Sequence, residues 1–185
     1  MLSEQKVSQI AAFFLSRKDE AMPHLKLIKL MYLADRLSMA RFGVPLSDDR
    51  AYSMPHGPVL SRSLNLMKGQ VTSTEWSSWV SPLSNHKLRL VRPVSELDDL
   101  DELSPADIAV LNDVWAAFGR YDQFALRDLT HDGLTPEWED PRGSSREIDP
   151  ALVFRLIGDS AEVADQKVSN LLERRELARV MSEFT

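Results

Sequence analysis

The segment over residues 23–42 limits the fold of this chain more than any other, because it is apolar on nearly all sides of a helix. Projected at about 100° per residue, Lys26, Lys29 and Arg36 share one narrow polar strip, and apolar side chains fill the remaining surface. A helix of this kind packs against neighbours on several sides. Gly43 marks its end. The segment therefore predicts a compact, mainly α (α+β) domain built around a central apolar helix.

Asp35 interrupts the apolar surface of this helix, opposite the basic strip. A carboxylate on such a face must be paired, hydrogen-bonded or protonated. We predict that Asp35 caps a helix starting at Gly57-Pro58, whose exposed N–H groups favour an anion, with Arg50 or His56 as alternative partners. A catalytic interpretation makes Asp35 and His56 an acid/base pair in a small hydrolytic enzyme. We disfavour it, because no nucleophile or second carboxylate is evident nearby.

Cap and turn residues predict the elements around the central helix. Ser104, Pro105 and Asp107 supply a serine cap, a proline in the first turn and a carboxylate at the third position. Ser84-Asn85 suits the turn of a small β-hairpin. The predicted helices cover residues 4–16, 58–68, 104–118, 122–131, 149–157 and 159–184, and the extended segments cover 50–54, 75–82 and 86–92. We divide the chain into a helical domain over residues 1–158 and a C-terminal helical extension over residues 159–185.

Two tryptophans, Trp76 and Trp79, lie three residues apart in the first predicted hairpin strand. Side chains at this spacing on a strand point to opposite faces, so one indole should be exposed or at an edge. An exposed aromatic side chain on a hairpin is a candidate binding anchor. The alternative is packing beneath the acidic loop over residues 95–103. We assign both tryptophans as candidate partner-binding residues.

The last predicted helix carries apolar residues that alternate with charged ones. It suits a partner-binding arm, a dimer contact or a helix folded back on the core, and folding back is slightly favoured. Leu172 and Arg175 are its candidate partner-binding residues. We assign Arg62 and His56 to the same role. The His56-Gly57-Pro58 turn forms either a rigid rim for a partner or simply a tight turn before a helix.

Asp128 and His131 share one face of a predicted helix. With another histidine they could in principle bind a metal ion. The chain has neither an HExxH-like pair nor a Cys/His cluster, so we expect no metal site and no cofactor. His131 is better explained as a polar anchor for the loop over residues 132–148.

Composition and charge exclude several classes of protein. The chain has no cysteine, which excludes disulfides and thiolate chemistry and fits a reducing cytoplasm. The net charge of −6 argues against general nucleic-acid affinity, and no recognition helix of a DNA-binding regulator stands out. No basic segment precedes the short apolar run near the N-terminus, and no run approaches the roughly 20 residues of a membrane span. We therefore expect a cytoplasmic protein.

The charge is divided unevenly along the chain. Residues 1–93 carry 13 Lys and Arg against 7 Asp and Glu, whereas residues 94–185 carry 9 against 21. This asymmetry serves either docking of a partner or attraction between two faces of one domain.

Three stretches in order resemble the Panacea/SocA-like antitoxin family, which includes phage-associated proteins. The first runs from Lys26 to Arg36 (KLIKLMYLADR) and continues in Gly-Val-Pro-Leu at 43–46. The second is Tyr52 to Val59 (YSMPHGPV). The third is Leu126-Arg-Asp-Leu-Thr-His131 with Pro-Glu-Trp at 136–138, where Glu137 splits the usual Pro-Trp pair. The resemblance covers about residues 5–157.

The resemblance implies a mostly helical domain with a small β element and a non-enzymatic role as the antitoxin of a bacterial toxin–antitoxin pair. The partner that it implies is a cognate toxin, which most members block by direct binding. In the SocA-like branch, the antitoxin instead acts as an adaptor that contacts ClpX and delivers the toxin to the ClpXP protease. The oligomeric state stays open. The motif residues with an expected structural role are Tyr32, Asp35, Arg50, Gly57, Pro58, Asp128, His131 and Trp138.

Overall fold

A computed structural model of the chain describes residues 3–18 and 21–184. It confirms the predicted mainly α class with a small antiparallel β element. The helices are α1 (Glu4–Ser16), α2 (His24–Phe42), α3 (Ser61–Met67), α4 (Thr74–Trp79), α5 (Pro105–Phe118), α6 (Gln123–His131), α7 (Pro150–Leu156) and α8 (Ala161–Ser182). The strands are β1 (Met22–Pro23), β2 (Ala51–Met54), β3 (Gly57–Leu60), β4 (Lys87–Leu88) and β5 (Arg146–Glu147).

Helix α2 is the central element, as predicted, and packs against α1, α5, α6 and β3. Gly43 ends it in the left-handed conformation, with a φ of 71°. Lys26 and Lys29, which lie on the basic strip of this helix, are both buried. The Lys26 Nζ donates hydrogen bonds to the carbonyl oxygens of Gly119 and Tyr121, at 2.5 and 2.7 Å. The helix is thus enclosed on its polar side as well.

Local capping signals place several helices where the sequence predicts them. Ser104 and Asp107 cap α5 reciprocally. The Asp122 carboxylate accepts from the first N–H groups of α6, and Asp149 does the same for α7. These caps lie in the chain beside the helices they begin, so sequence alone could identify them.

The prediction that residues 75–82 form the first strand of a hairpin is wrong for residues 75–79, because they are helical and belong to α4. The Ser73 hydroxyl accepts from the Trp76 N–H at 3.2 Å and caps this helix. Only a short hairpin follows, in which Val80 pairs with Leu90. At its tip Asn85 and His86 both have positive φ, at 50° and 61°, as in the two-residue turns that favour tight hairpins.

The helix predicted over residues 58–68 begins only at Ser61. Residues 57–60 form strand β3, which pairs antiparallel with β2, and β5 pairs with the other edge of β2. This three-stranded sheet lies against α2 through β3. A second, two-stranded sheet joins β1 to β4.

Helix α8 is folded back on the domain over its first half. It packs on α7, and its Ala164 and Leu171 are buried. Arg175 then pairs with Asp48, with an Nε to Oδ1 distance of 2.7 Å. The division of the chain at residue 158 stays a prediction. Within the described residues, none of the helices combines the length and the apolarity that crossing a bilayer demands.

Candidate partner-binding surface

Several residues of the three family-like stretches meet around Gly57, at the turn between β2 and β3. The Lys29 Nζ donates to the Pro58 carbonyl oxygen at 2.7 Å. Gly57 has a φ of +89°, and a Cβ placed there would lie 2.7 Å from both the Lys29 Nζ and the Thr130 Oγ1. Only glycine fits this position. Burial lowers the pKa of Lys29 to about 7.

His131 and Trp138 close the other side of this turn. Their rings stack at a centroid distance of 4.1 Å and an angle of 9°. The Trp138 Nε1 donates to the Met54 carbonyl oxygen at 2.9 Å. Burial, followed by the charges of Lys29 and Arg127, lowers the pKa of His131, which favours its neutral form. His131 thus contacts the loop over residues 132–148 by ring stacking on Trp138, and its expected role as a polar anchor stays a prediction. We call Lys29, Gly57, Thr130, His131 and Trp138 the Gly57 clamp.

Glu137, the residue that departs from the family pattern, is buried next to the clamp. Its Oε1 accepts from the Tyr32 hydroxyl at 2.7 Å and from the Arg36 Nε at 2.8 Å. Burial, and then the charge of Glu137, raises the pKa of Tyr32. The carboxylate therefore ties the loop to α2, a role that no local pattern in the sequence indicates.

Asp35 is held by a residue other than the three expected partners. Its oxygens accept from the Ser47 backbone N–H at 2.8 Å and from the Ser47 hydroxyl at 2.5 Å. Burial raises the pKa of Asp35 to about 7. The predicted capping role is wrong, because Asp49 caps the helix in question by accepting from the N–H groups of Arg62 and Ser63.

No acid/base pair forms between Asp35 and His56, because the former is buried against Ser47 and the latter is exposed on the β2–β3 turn. Asp128 is exposed and forms an ion pair with Arg127. Across the described part of the chain, no three His, Asp or Glu side chains group in a way that would hold a metal ion. Tyr32, Asp35 and Trp138 are each engaged in a hydrogen bond within the protein.

Both tryptophans of α4 are buried, so the expectation that one is exposed is wrong. Positions three apart on a helix share a face, and Trp76 and Trp79 both point inward from α4. The Arg92 guanidinium lies over the Trp79 ring, 3.6 Å from its centroid. These side chains stabilise the core and do not form the exposed anchor that we predicted.

A large open groove runs between α8 and the surface formed by the start of α3 and β2. It encloses about 810 Å³, with Arg50, Tyr52 and Arg62 on one wall and Leu172, Glu176 and Arg179 on the other. We call it the α8 groove. It brings together three of the predicted partner-binding residues, Arg62, Leu172 and Arg175. Arg62 forms an ion pair with Glu4 there.

The end of α8 exposes apolar side chains on a different side. Leu177 and Met181 lie one turn apart and are 64% and 60% exposed, and Phe184 follows at 83%. At 3.6 residues per turn, Leu177 and Met181 lie roughly 160° around the helix from Leu172 and Arg179, and Phe184 follows beyond the end of the helix. We call Leu177, Met181 and Phe184 the distal face. An apolar stripe of this spacing is typical of a helix that inserts into a partner.

Comparison with known proteins places the motif residues in one family. The model of the family described as "Antitoxin SocA-like, Panacea domain" matches residues 27–139. No curated protein and no solved structure matches the chain. The matched range contains the Gly57 clamp and Glu137, whereas α8 lies outside it.

Proposed function

Because the chain belongs to the SocA-like antitoxin family, with its Panacea domain over residues 27–139, we propose that it neutralises a cognate toxin by binding it directly through the distal face of α8. The family supports a toxin as the partner and a non-enzymatic role. The observation that carries the proposal is the exposed stripe of Leu177, Met181 and Phe184.

The distal face has the properties of a helical anchor. Leu177 and Met181 are spaced at i and i+4, so they form one strip along α8, and Phe184 follows directly after the end of the helix. Apolar strips of this kind bury their surface in a hydrophobic groove of the partner, and each fully buried large side chain contributes about 1.5–3 kcal/mol. Arg179 lies on another side of the helix and pairs with Glu176 and Glu183. These pairs hold α8 helical where the core no longer supports it.

The first experiment asks whether this protein is an antitoxin. The product of the adjacent reading frame is expressed alone and together with this chain. We expect growth arrest in the first case and normal growth, with a co-purifying complex, in the second. If the adjacent product is harmless alone, the antitoxin proposal is wrong.

The second experiment tests the distal face. We expect Leu177→Glu with Met181→Glu to abolish rescue and complex formation, because two charges would enter the apolar contact. Val163→Glu is the matched control, since Val163 is 45% exposed on the same side of α8, about 21 Å earlier along the helix. Rescue by the double variant at the wild-type level would place the toxin elsewhere.

A host lacking ClpX separates direct binding from proteolytic delivery. Direct binding predicts that rescue is unchanged in that host, whereas an adaptor would lose it. Loss of rescue together with an intact complex would overturn blocking in favour of delivery.

A further inference from the structure

A second, smaller cavity, which we call the inner pocket, lies next to the α8 groove. It measures about 50 Å³, and its apolar walls come from Met39, Leu60, Ile148, Val153 and Leu171. The inner pocket and the groove share Asp49, Arg50 and Arg175, so the two cavities meet at these residues.

The two cavities suit different parts of one ligand. A volume of about 50 Å³ corresponds to roughly three or four water molecules and accepts a small branched aliphatic group, but not an indole. The groove, at about 810 Å³, is large enough for a length of polypeptide. A chain lying in the groove can therefore place one aliphatic side chain in the inner pocket.

The charged groups around the inner pocket are almost all satisfied within the protein. Six of them line it: Asp35, Arg36, Asp49, Arg50, Glu147 and Arg175. Five have partners, namely Ser47 for Asp35, Glu137 for Arg36, the start of α3 for Asp49, Tyr52 for Glu147 and Asp48 for Arg175. Within the described residues, the exposed Arg50 guanidinium forms no hydrogen bond or ion pair. The rim thus offers one unused cation.

We infer that the α8 groove binds a peptide segment of a partner protein, with a branched aliphatic side chain in the inner pocket and a neighbouring Asp or Glu carboxylate on Arg50. An arginine fork pairs with a carboxylate in a bidentate geometry, and an aliphatic side chain in a closed pocket is a typical anchor. A basic segment would instead meet Arg50 and Arg175 at the rim. The site lies on the opposite side of α8 from the distal face and goes beyond the proposed toxin contact.

The test uses the full chain and the peptide acetyl-Asp-Leu-Asp-amide, followed by NMR through the methyl groups of Ile148 and Val153. We expect these methyl resonances to shift at millimolar peptide. Peptides with Asp-Ala-Asp or Asn-Leu-Asn should bind at least about tenfold more weakly, since each loses one of the two interactions, and about 1.4 kcal/mol corresponds to tenfold.

Two protein variants locate the binding. Arg50→Gln should weaken binding of Asp-Leu-Asp by about tenfold or more, and its matched control is Arg89→Gln, a change at an exposed arginine outside both cavities. Ala51→Ile adds volume to the wall of the inner pocket and should abolish the methyl shifts while the melting temperature stays close to that of the wild type.

The inference is wrong if the Ile148 and Val153 methyl resonances do not shift with the peptide. It is also wrong if the Arg50→Gln variant binds Asp-Leu-Asp as tightly as the wild type does and the wild type binds Asn-Leu-Asn as tightly as Asp-Leu-Asp. Because the peptide is measured on this protein alone, that failure leaves the toxin proposal intact. Conversely, loss of rescue in the distal-face variant with unchanged peptide binding would show that the two sites are separate.

Discussion

The family-matched core and helix α8 differ in the burial of their polar and apolar side chains. In the core, Lys29, Asp35 and Glu137 are buried and hydrogen-bonded. In α8, large apolar side chains such as Leu177 and Met181 are exposed, and charged residues pair along the surface. Buried polar groups tolerate little change, whereas a patch of exposed apolar side chains is typical of an interaction surface. The difference fits the proposal that the family motifs form a scaffold and that the toxin is bound by α8, beyond the matched range.

The sharpest way to break this comparison is to disturb the Gly57 clamp. Gly57→Ala should destabilise the protein by about 3 kcal/mol, because the added Cβ would combine a positive φ with a 2.7 Å approach to the Lys29 Nζ and the Thr130 Oγ1. Gly133→Ala is the matched control, since its φ is +95° but nothing lies within 4 Å; backbone strain alone should cost about 1 kcal/mol. Urea unfolding measures both. Equal losses would show that the clamp is not tightly packed.

The second prediction concerns the pH dependence that Asp35 confers on the core. Its pKa is raised from 3.8 to about 7 by burial, so the folded state favours the protonated carboxyl. The corresponding stability is fully present below pH 3.8 and is lost as pH rises through about 7. Asp35→Asn does not titrate; its amide oxygen can accept from the Ser47 N–H, and its amide nitrogen can donate to the Ser47 hydroxyl oxygen. Between these pH values, the wild type should therefore lose about 2–4 kcal/mol relative to the variant.

Unfolding free energies measured across this pH range check the prediction. The matched control is Asp113→Asn, which removes an exposed carboxylate that pairs with Arg41. The control should run parallel to the wild type. If Asp35→Asn also runs parallel, Asp35 is ionised in the folded protein throughout the range, and the core holds a buried charge after all.

The sequence predicted elements whose signals are local and missed contacts that depend on distant residues. Helices α2 and α5 were predicted within a few residues, because Gly43 and the Ser104 cap mark their ends directly. Asp35 was recognised as buried, but its partner, Ser47, lies beyond the end of its own helix. Periodicity alone does not identify which turn packs beside a carboxylate.

Short elements were the other source of error. Helix α4 has six residues, and its two tryptophans fit a strand or a helix over so short a length. Glu137 was noticed only as a departure from the family pattern, although it joins Tyr32 and Arg36. The sequence did not predict the α8 groove, because its two walls lie more than a hundred residues apart in the chain, as the Arg175–Asp48 pair shows.

The smallest expected effect concerns the place where the two regions meet. Arg175 attaches α8 to the core through the Asp48 carboxylate at 2.7 Å and the Asp48 carbonyl oxygen at 3.2 Å. Both side chains are 28% exposed, so Arg175→Gln should cost only about 1 kcal/mol. Because that contact holds the middle of α8, amide hydrogen exchange should accelerate in α8 and stay unchanged in α2. Arg179→Gln, which removes pairs with Glu176 and Glu183 next to it in the chain, should leave exchange around Leu171 as in the wild type. Faster exchange in α2 as well would mean that α8 and the core unfold as one unit and that the scaffold extends beyond the family-matched range.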